Sequence, residues 1–270
     1  MDDRPIGVFD SGLGGLTTVR ELCRLLPEED IVYFGDTGRV PYGSRSRETI
    51  VKYARQDVAF LRTFDLKTIV IACGTVSTTA LDVLAAENPI PVLGVVAPAA
   101  CVAARATRSG SIGLIGTQAS IRSGAYERLI RAENPAARVL AQPCPLFVPL
   151  VENGRFRPGD VVIETVAAEY LAPLKEAGVD TLVLGCTHYP LLEKVIGAYM
   201  GPEVRLINSG AEGARAAADC LRERDALAGP GRGSCRCFVS DRQEDFSRLA
   251  STFLGWDVAQ AVEQVDISQY

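Results

Sequence analysis

Short apolar runs that end in small polar residues alternate along this chain with segments whose apolar positions recur at helical spacing. That is the pattern of a mainly parallel sheet covered by helices, so the expected class is α/β. Ile6 to Phe9 reads as a buried strand. It leads into the loop Asp10-Ser11-Gly12-Leu13-Gly14-Gly15 and a helix over Thr17 to Leu26. Ile31 to Phe34 is the next strand and Arg47 to Leu61 a helix. Thr68 to Ala72 is a strand running into Cys73-Gly74-Thr75, with Val76 to Ala86 helical after it. Beyond Pro89, Pro91 and Pro98 the order begins again. Ser111 to Ile115 is a strand, Gly116-Thr117-Gln118 a loop and Ile121 to Arg131 a helix. Asp160 then caps a helix over Val161 to Ala177, stopped by Gly178, and Thr181 to Leu184 is a strand running into Gly185-Cys186-Thr187-His188. A helix over Ala211 to Ala226, a strand over Cys235 to Val239 and a helix over Asp241 to Leu254 complete the pattern.

The two halves match in detail. IGVFDSG from Ile6 precedes IVIACGT from Ile69, as IGLIGTQ from Ile112 precedes LVLGCTH from Leu182. The reading is two pseudo-symmetric α/β domains with the active site between them, each presenting a thiol at the carboxyl end of a strand. Residues 1–97 and 208–270 form the first, carrying Asp10 and Cys73. Residues 98–207 form the second, carrying Cys186 and His188. A chain of 270 residues is long enough for two such units, each with its own core.

Charge narrows the function classes. With 33 acidic and 28 basic residues, and no long run of one sign, the chain lacks the basic footprint of a nucleic-acid binder. The longest apolar run, Ile90 to Ala104, is interrupted by Pro91 and Pro98 and is too short to span a bilayer, so no membrane partner is expected. The first residues carry two acids and no signal-peptide pattern, which points to the cytoplasm. The eight cysteines contain no CxxC pair and there is a single histidine, His188, so no metal site is expected and the thiols read as free. Gly12, Gly14 and Gly15 read as turn residues, because Thr17 stands where GxGxxG needs its third glycine.

Ligands of open α/β sheets bind beyond the carboxyl ends of the strands, and a thiol placed there beside backbone N–H groups forms a thiolate more readily. If the halves face each other, one ligand has a sulfur on either side. One thiolate with one thiol suits removing a proton from one face of a carbon and returning one to the other, which is racemisation or epimerisation. Asp10 is a candidate partner for Cys73, and His188 for Cys186. Ser11, Thr75, Thr117 and Thr187 supply hydroxyl donors for a carboxylate. The bland alternatives are a core histidine, a helix-capping aspartate and packed cysteines. The last is the reading adopted for the other six.

FDSGLGGLT at 9–17, YFGDTGRVPYGSRS at 33–46, ACGT at 72–75, FVPLVENG at 147–154, GCTHYPLL at 185–192 and INSGAE at 207–212 are together specific. On these segments the chain resembles the glutamate racemases, the cofactor-independent members of the aspartate/glutamate racemase superfamily. The resemblance implies interconversion of L- and D-glutamate by two cysteines, no pyridoxal phosphate, a homodimer and supply of D-glutamate for peptidoglycan. It implies that Cys73 takes the α-proton from the D-isomer and Cys186 from the L-isomer, with Asp10 and His188 assisting. Substrate contacts would come from Asp10, Ser11, Tyr42, Gly43, Gly74, Thr75, Thr117 and Thr187, with Glu152 near the second base. Those relatives usually carry Asn where this chain has Gly74, so an amide donor is expected to be missing, at the expense of substrate affinity. That departure keeps two other readings open: a racemase of aspartate or another small acidic amino acid, and a non-catalytic amino-acid-binding protein.

Overall fold

A computed structural model describes residues 1–256 and 262–270, except for the side chains of residues 244, 245 and 248. In chain order the strands are β1 (Ile6–Asp10), β2 (Ile31–Gly35), β3 (Thr68–Ile71), β4 (Val92–Gly94), β5 (Ser111–Gly116), β6 (Arg138–Pro143), β7 (Thr181–Leu184), β8 (Arg205–Asn208), β9 (Cys235–Val239) and β10 (Val262–Gln264). Among the described residues they form two sheets, of order β10-β9-β2-β1-β3-β4 and β6-β5-β7-β8, and every pairing is parallel. The central strands are buried end to end, as strands covered by helices on both faces must be.

The sheets repeat one another in topology and in register. β2-β1-β3-β4 and β6-β5-β7-β8 have the same order, each turning back at its second and third members. Phe9 pairs with Ile71 and Ile115 with Leu184, so Cys73 and Cys186 each lie two residues past the last paired position of their strand. A ligand crevice opens where the winding of an open parallel sheet reverses. Both reversals put a cysteine there.

Helix boundaries depart from the sequence pattern in several places, two of them for a clear local reason. The helix expected over Val76 to Ala86 is two, Gly74–Thr79 and Leu81–Glu87, divided at Ala80 (φ −130°, ψ −7°). There Thr78 bonds back to the Thr75 carbonyl at 2.9 Å, an alternative to continued helix. The helix expected over Ile121 to Arg131 is likewise Gln118–Ser123 and Ala125–Glu133, because Gly124 sits at φ +63°. The last helix starts at Gln243 behind Arg242, not at Asp241. The run 90–104 resolves into β4 and a helix over Val96–Ala106, whose Pro98 occupies the first turn, where its missing N–H costs nothing. Among the described residues no helix is long and apolar enough to cross a membrane.

Anchors away from the cleft fix the frame. The fully buried Phe34 and nearby Phe238 pack on Phe60 with ring centroids 5.0 and 5.3 Å away, each such pair contributing about 0.5–1.5 kcal/mol beyond burial. Lys67, 1% exposed, pairs with the buried Glu29 and donates to the carbonyls of Asp2 (2.7 Å) and Ala226 (2.9 Å). This knot ties the chain start and the segment after the helix Ser209–Glu223 to the back of the six-stranded sheet.

Candidate active site

The strand ends of the two sheets meet across a narrow seam. A Cβ on Gly14 would lie 2.1 Å from Thr187 Oγ1, and one on Gly74 2.6 Å from the Gly185 carbonyl oxygen. Neither glycine is at positive φ, so both serve close approach; Gly14 also lies in a turn, as its sequence suggested, with the Leu16 amide donating to the Leu13 carbonyl at 3.1 Å. Thr17 Oγ1 donates to the Thr187 carbonyl at 2.9 Å, and the Thr75 and Thr117 hydroxyls lie 3.0 Å apart.

Between these contacts is a cavity of about 380 Å³. Cys73 lines it from the six-stranded sheet and Cys186 from the four-stranded one. Ser11, Tyr42, Gly43, Gly74, Thr75, Thr117, Thr187, Glu152 and His188 line it as well. Asp10 stands behind this wall, 1% exposed, with one carboxylate oxygen accepting from the Gly12 amide at 3.0 Å and the other 3.5 Å from Thr187 Oγ1. Tyr42 turns its hydroxyl away from the cavity, to Asp36 and Asp57, leaving its ring and backbone at the wall.

The thiols have unlike surroundings. Cys73 is flanked by the Ser11 hydroxyl at 3.3 Å, so Ser11 and not Asp10 is its hydrogen-bond partner. Burial pushes the Cys73 thiol up to about 12, and the neighbouring Asp10 carboxylate adds to the rise. Burial also raises Asp10, although the nearby His188 and the loop amides pull the other way. Cys186 lies 4.0 Å from His188 Nδ1, and His188 Nε2 lies 2.9 Å from Glu152 Oε1, forming a carboxylate–imidazole–thiol chain. Burial alone lowers the imidazole, but its bonds to Cys186 and Glu152 outweigh that and bring it up to about 10.

Sequence reasoning passed over part of this wall. Cys144, read as a packed residue, is fully buried yet borders the cavity, and Pro145 and Gln118 border it too. Cys144 precedes the short helix Phe147–Glu152 that carries Glu152, and its carbonyl accepts from Tyr189 at 3.1 Å. No signal in the chain distinguishes it from the other buried thiols.

The sequence model of the Asp/Glu/hydantoin racemases matches residues 9–217, which includes both cysteines and the whole cleft. The chain belongs to the Asp/Glu/hydantoin racemase family. A glutamate racemase of Geobacter metallireducens is 49% identical over 256 residues, covering 94% of each chain. One of Chlorobaculum tepidum is 46% identical over 258 residues, 95% of this chain and 94% of the other. Among solved structures, a glutamate racemase isoform of Bacillus anthracis superposes with a TM-score of 0.93 at 37% identity over 98% of both chains. The Francisella tularensis glutamate racemase in complex with D-glutamate gives 0.91 at 38% identity over the full length of both. An aspartate racemase of Picrophilus torridus shares the fold, with a TM-score of 0.55 at 18% identity, covering 83% of this chain and all of the other.

Proposed function

We propose that this member of the family interconverts L- and D-glutamate by proton transfer at Cα between two thiols, supplying D-glutamate for peptidoglycan. The observation that carries the reading is the single cavity lined by Cys73 from one sheet and Cys186 from the other. A thiolate on one side takes the α-proton, breaking Cα–H and forming S–H. The carbanion is held while the opposite thiol delivers its own proton to the other face, inverting the centre.

The unlike surroundings support an assignment of roles. Cys73, pushed up by burial and by Asp10, holds its proton, and Cys186 has the His188 imidazole 4.0 Å away as its partner. In this reading Cys186 accepts the α-proton of L-glutamate and Cys73 gives its own to the opposite face. The reverse direction starts with a Cys73 thiolate, which the substrate's own ammonium group helps to stabilise. Ser11, Thr75, Thr117 and Thr187 offer hydroxyls to the substrate's carboxylates, and hydrogen bonds to the α-carboxylate spread the charge that develops at Cα. Asp10, behind the wall, acts on Cys73 and Thr187 through the protein.

Residues 1–97 with 208–270, and residues 98–207, form the two domains of this reading. The helices Val96–Ala106 and Ser209–Glu223, at the two chain crossings, pack side by side, and in this reading the hinge lies there. The enzyme works in the cytoplasm as a homodimer, which sedimentation velocity checks. Glutamate is preferred over aspartate as substrate because the relatives at 46% and 49% identity are glutamate racemases. The deciding test is incubation with L-glutamate and, separately, L-aspartate while circular dichroism is followed. Decay of the glutamate signal to zero supports the proposal, and decay with aspartate alone transfers the mechanism to another substrate.

A further inference from the structure

Helix Arg47–Leu61 carries an acid that plays no part in the chemistry above. Asp57 is fully buried, on the face turned toward the loop that leads to Tyr42 and Gly43. Around it Arg39 donates through each of its three nitrogens. Its Nε donates to Asp36 at 2.6 Å, Nη1 to Gln56 at 2.6 Å and Nη2 to Asp57 Oδ1 at 2.8 Å, while its plane lies 4.2 Å from the Tyr53 ring centroid. Asp36, also 0% exposed, accepts on its other oxygen from Ser240 at 2.7 Å.

The Tyr42 hydroxyl sits between both acids, against Asp36 Oδ2 and 3.0 Å from Asp57 Oδ2. A phenol has one hydrogen, and an ionised carboxylate has none to give. Two short contacts from one hydroxyl to two carboxyl groups therefore need a second hydrogen. Charge points the same way, because two ionised carboxylates and one guanidinium would leave an uncompensated negative charge out of water. Burial, and then the neighbouring Asp36, hold the Asp57 carboxyl well above the ordinary range.

We propose that Asp57 is a protonated positioning residue that donates to the Tyr42 oxygen while Tyr42 donates to Asp36, locking the Tyr42–Gly43 turn as a wall of the substrate cavity. The lock reaches the other sheet: a Cβ on Gly43 would lie 3.0 Å from Thr117 Cβ, so the turn rests on the residue that begins the opposite strand-end loop. Asp57 acts through Tyr42 and touches no reacting atom, so its loss shows in substrate binding first.

The kinetic part of the test rests on the proposed glutamate activity, and the spectroscopic part does not. Asp57→Asn keeps a neutral donor of the same shape, whereas Asp57→Ala leaves Tyr42 with one partner. The expected result is a glutamate KM raised about tenfold or more in Asp57→Ala, with kcat within about threefold of wild type, and near-wild-type constants in Asp57→Asn. Infrared difference spectra of wild type minus Asp57→Asn should contain the carbonyl stretch of a protonated carboxylic acid, which also separates Asp57 from the buried Asp10. Absence of that band overturns the proposal whether or not the protein turns over glutamate, and so does an Asp57→Asn enzyme as impaired as Asp57→Ala. Presence of the band in a protein inactive on glutamate would support the protonated lock while sinking the substrate assignment.

Discussion

Replacing Gly74 with alanine tests how closely the two strand-end loops must approach. A Cβ at this position would lie 2.6 Å from the Gly185 carbonyl oxygen and 3.5 Å from its carbon. Carbon and oxygen in ordinary contact are about 3.3 Å apart, so one loop must retreat by about 0.7 Å. Gly185 cannot yield cheaply. Its amide donates to the Ile115 carbonyl at 2.8 Å, and a Cβ of its own would lie 2.7 Å from that oxygen. The movement falls on Cys73 or Cys186, the immediate neighbours, and displacements of about 1 Å cost up to about a hundredfold in rate. Overpacking of this kind costs about 1–3 kcal/mol, from which about 0.4–1 kcal/mol of backbone entropy is recovered. We expect kcat for glutamate to fall about 10- to 100-fold, with Tm lower by no more than about 10 °C. Gly74→Asn carries the same Cβ and adds the amide that the resemblance to the glutamate racemases leads one to expect here. If the glycine merely lacks a donor, Asn should lower KM; if the seam sets the geometry, Asn should be impaired like Ala. Wild-type kcat and Tm in both variants would refute the packing argument.

Glu152→Gln removes the carboxylate 2.9 Å from His188, and because Glu152 is partly exposed the imidazole should fall by only about one unit from about 10. Cys186 loses its cationic neighbour as pH rises through the His188 value, so the alkaline limb of the L-glutamate profile should move down by the same amount; an unmoved limb contradicts the chain of three groups. The His188 value lies above that of a free imidazole, so its contribution to stability is complete below about pH 6.5 and fades as pH rises toward 10. Thermal melts of wild type and His188→Gln should accordingly converge between those limits, and parallel curves would speak against the shift. Lys67→Met strands the buried Glu29, which costs about 3–5 kcal/mol and should lower Tm by about 6–20 °C; a change under about 2 °C would show that the pair is not an anchor.

The chain declares its central strands because β1, β2, β3 and β7 are buried on both faces and read as unbroken apolar runs. Its repeat declares Cys73 and Cys186, since the same register carries both past their strands. The edge strands β4, β6, β8 and β10 are hidden because they are short or only half-buried, so their residues do not follow a clean pattern. Contacts between distant segments are hidden too. Glu152, placed near the second base only by the resemblance, meets His188 across 36 residues, and Asp57 reads as an ordinary helical charge until Arg39 and Tyr42 are folded against it. Gly74 looks like a missing donor in the sequence and becomes a point of contact in the fold.

The central claim is that Cys73 and Cys186 serve opposite faces of one carbon. The most direct measurement follows L-glutamate in deuterium oxide at early times, comparing label at Cα in the D-glutamate formed with label in the L-glutamate recovered, for wild type, Cys73→Ala and Cys186→Ala. Two bases predict deuterium in the product, little in the recovered substrate, and racemisation lowered about 10²- to 10⁴-fold in each variant. Equal label in substrate and product at early times, or wild-type racemisation by either variant, would contradict it.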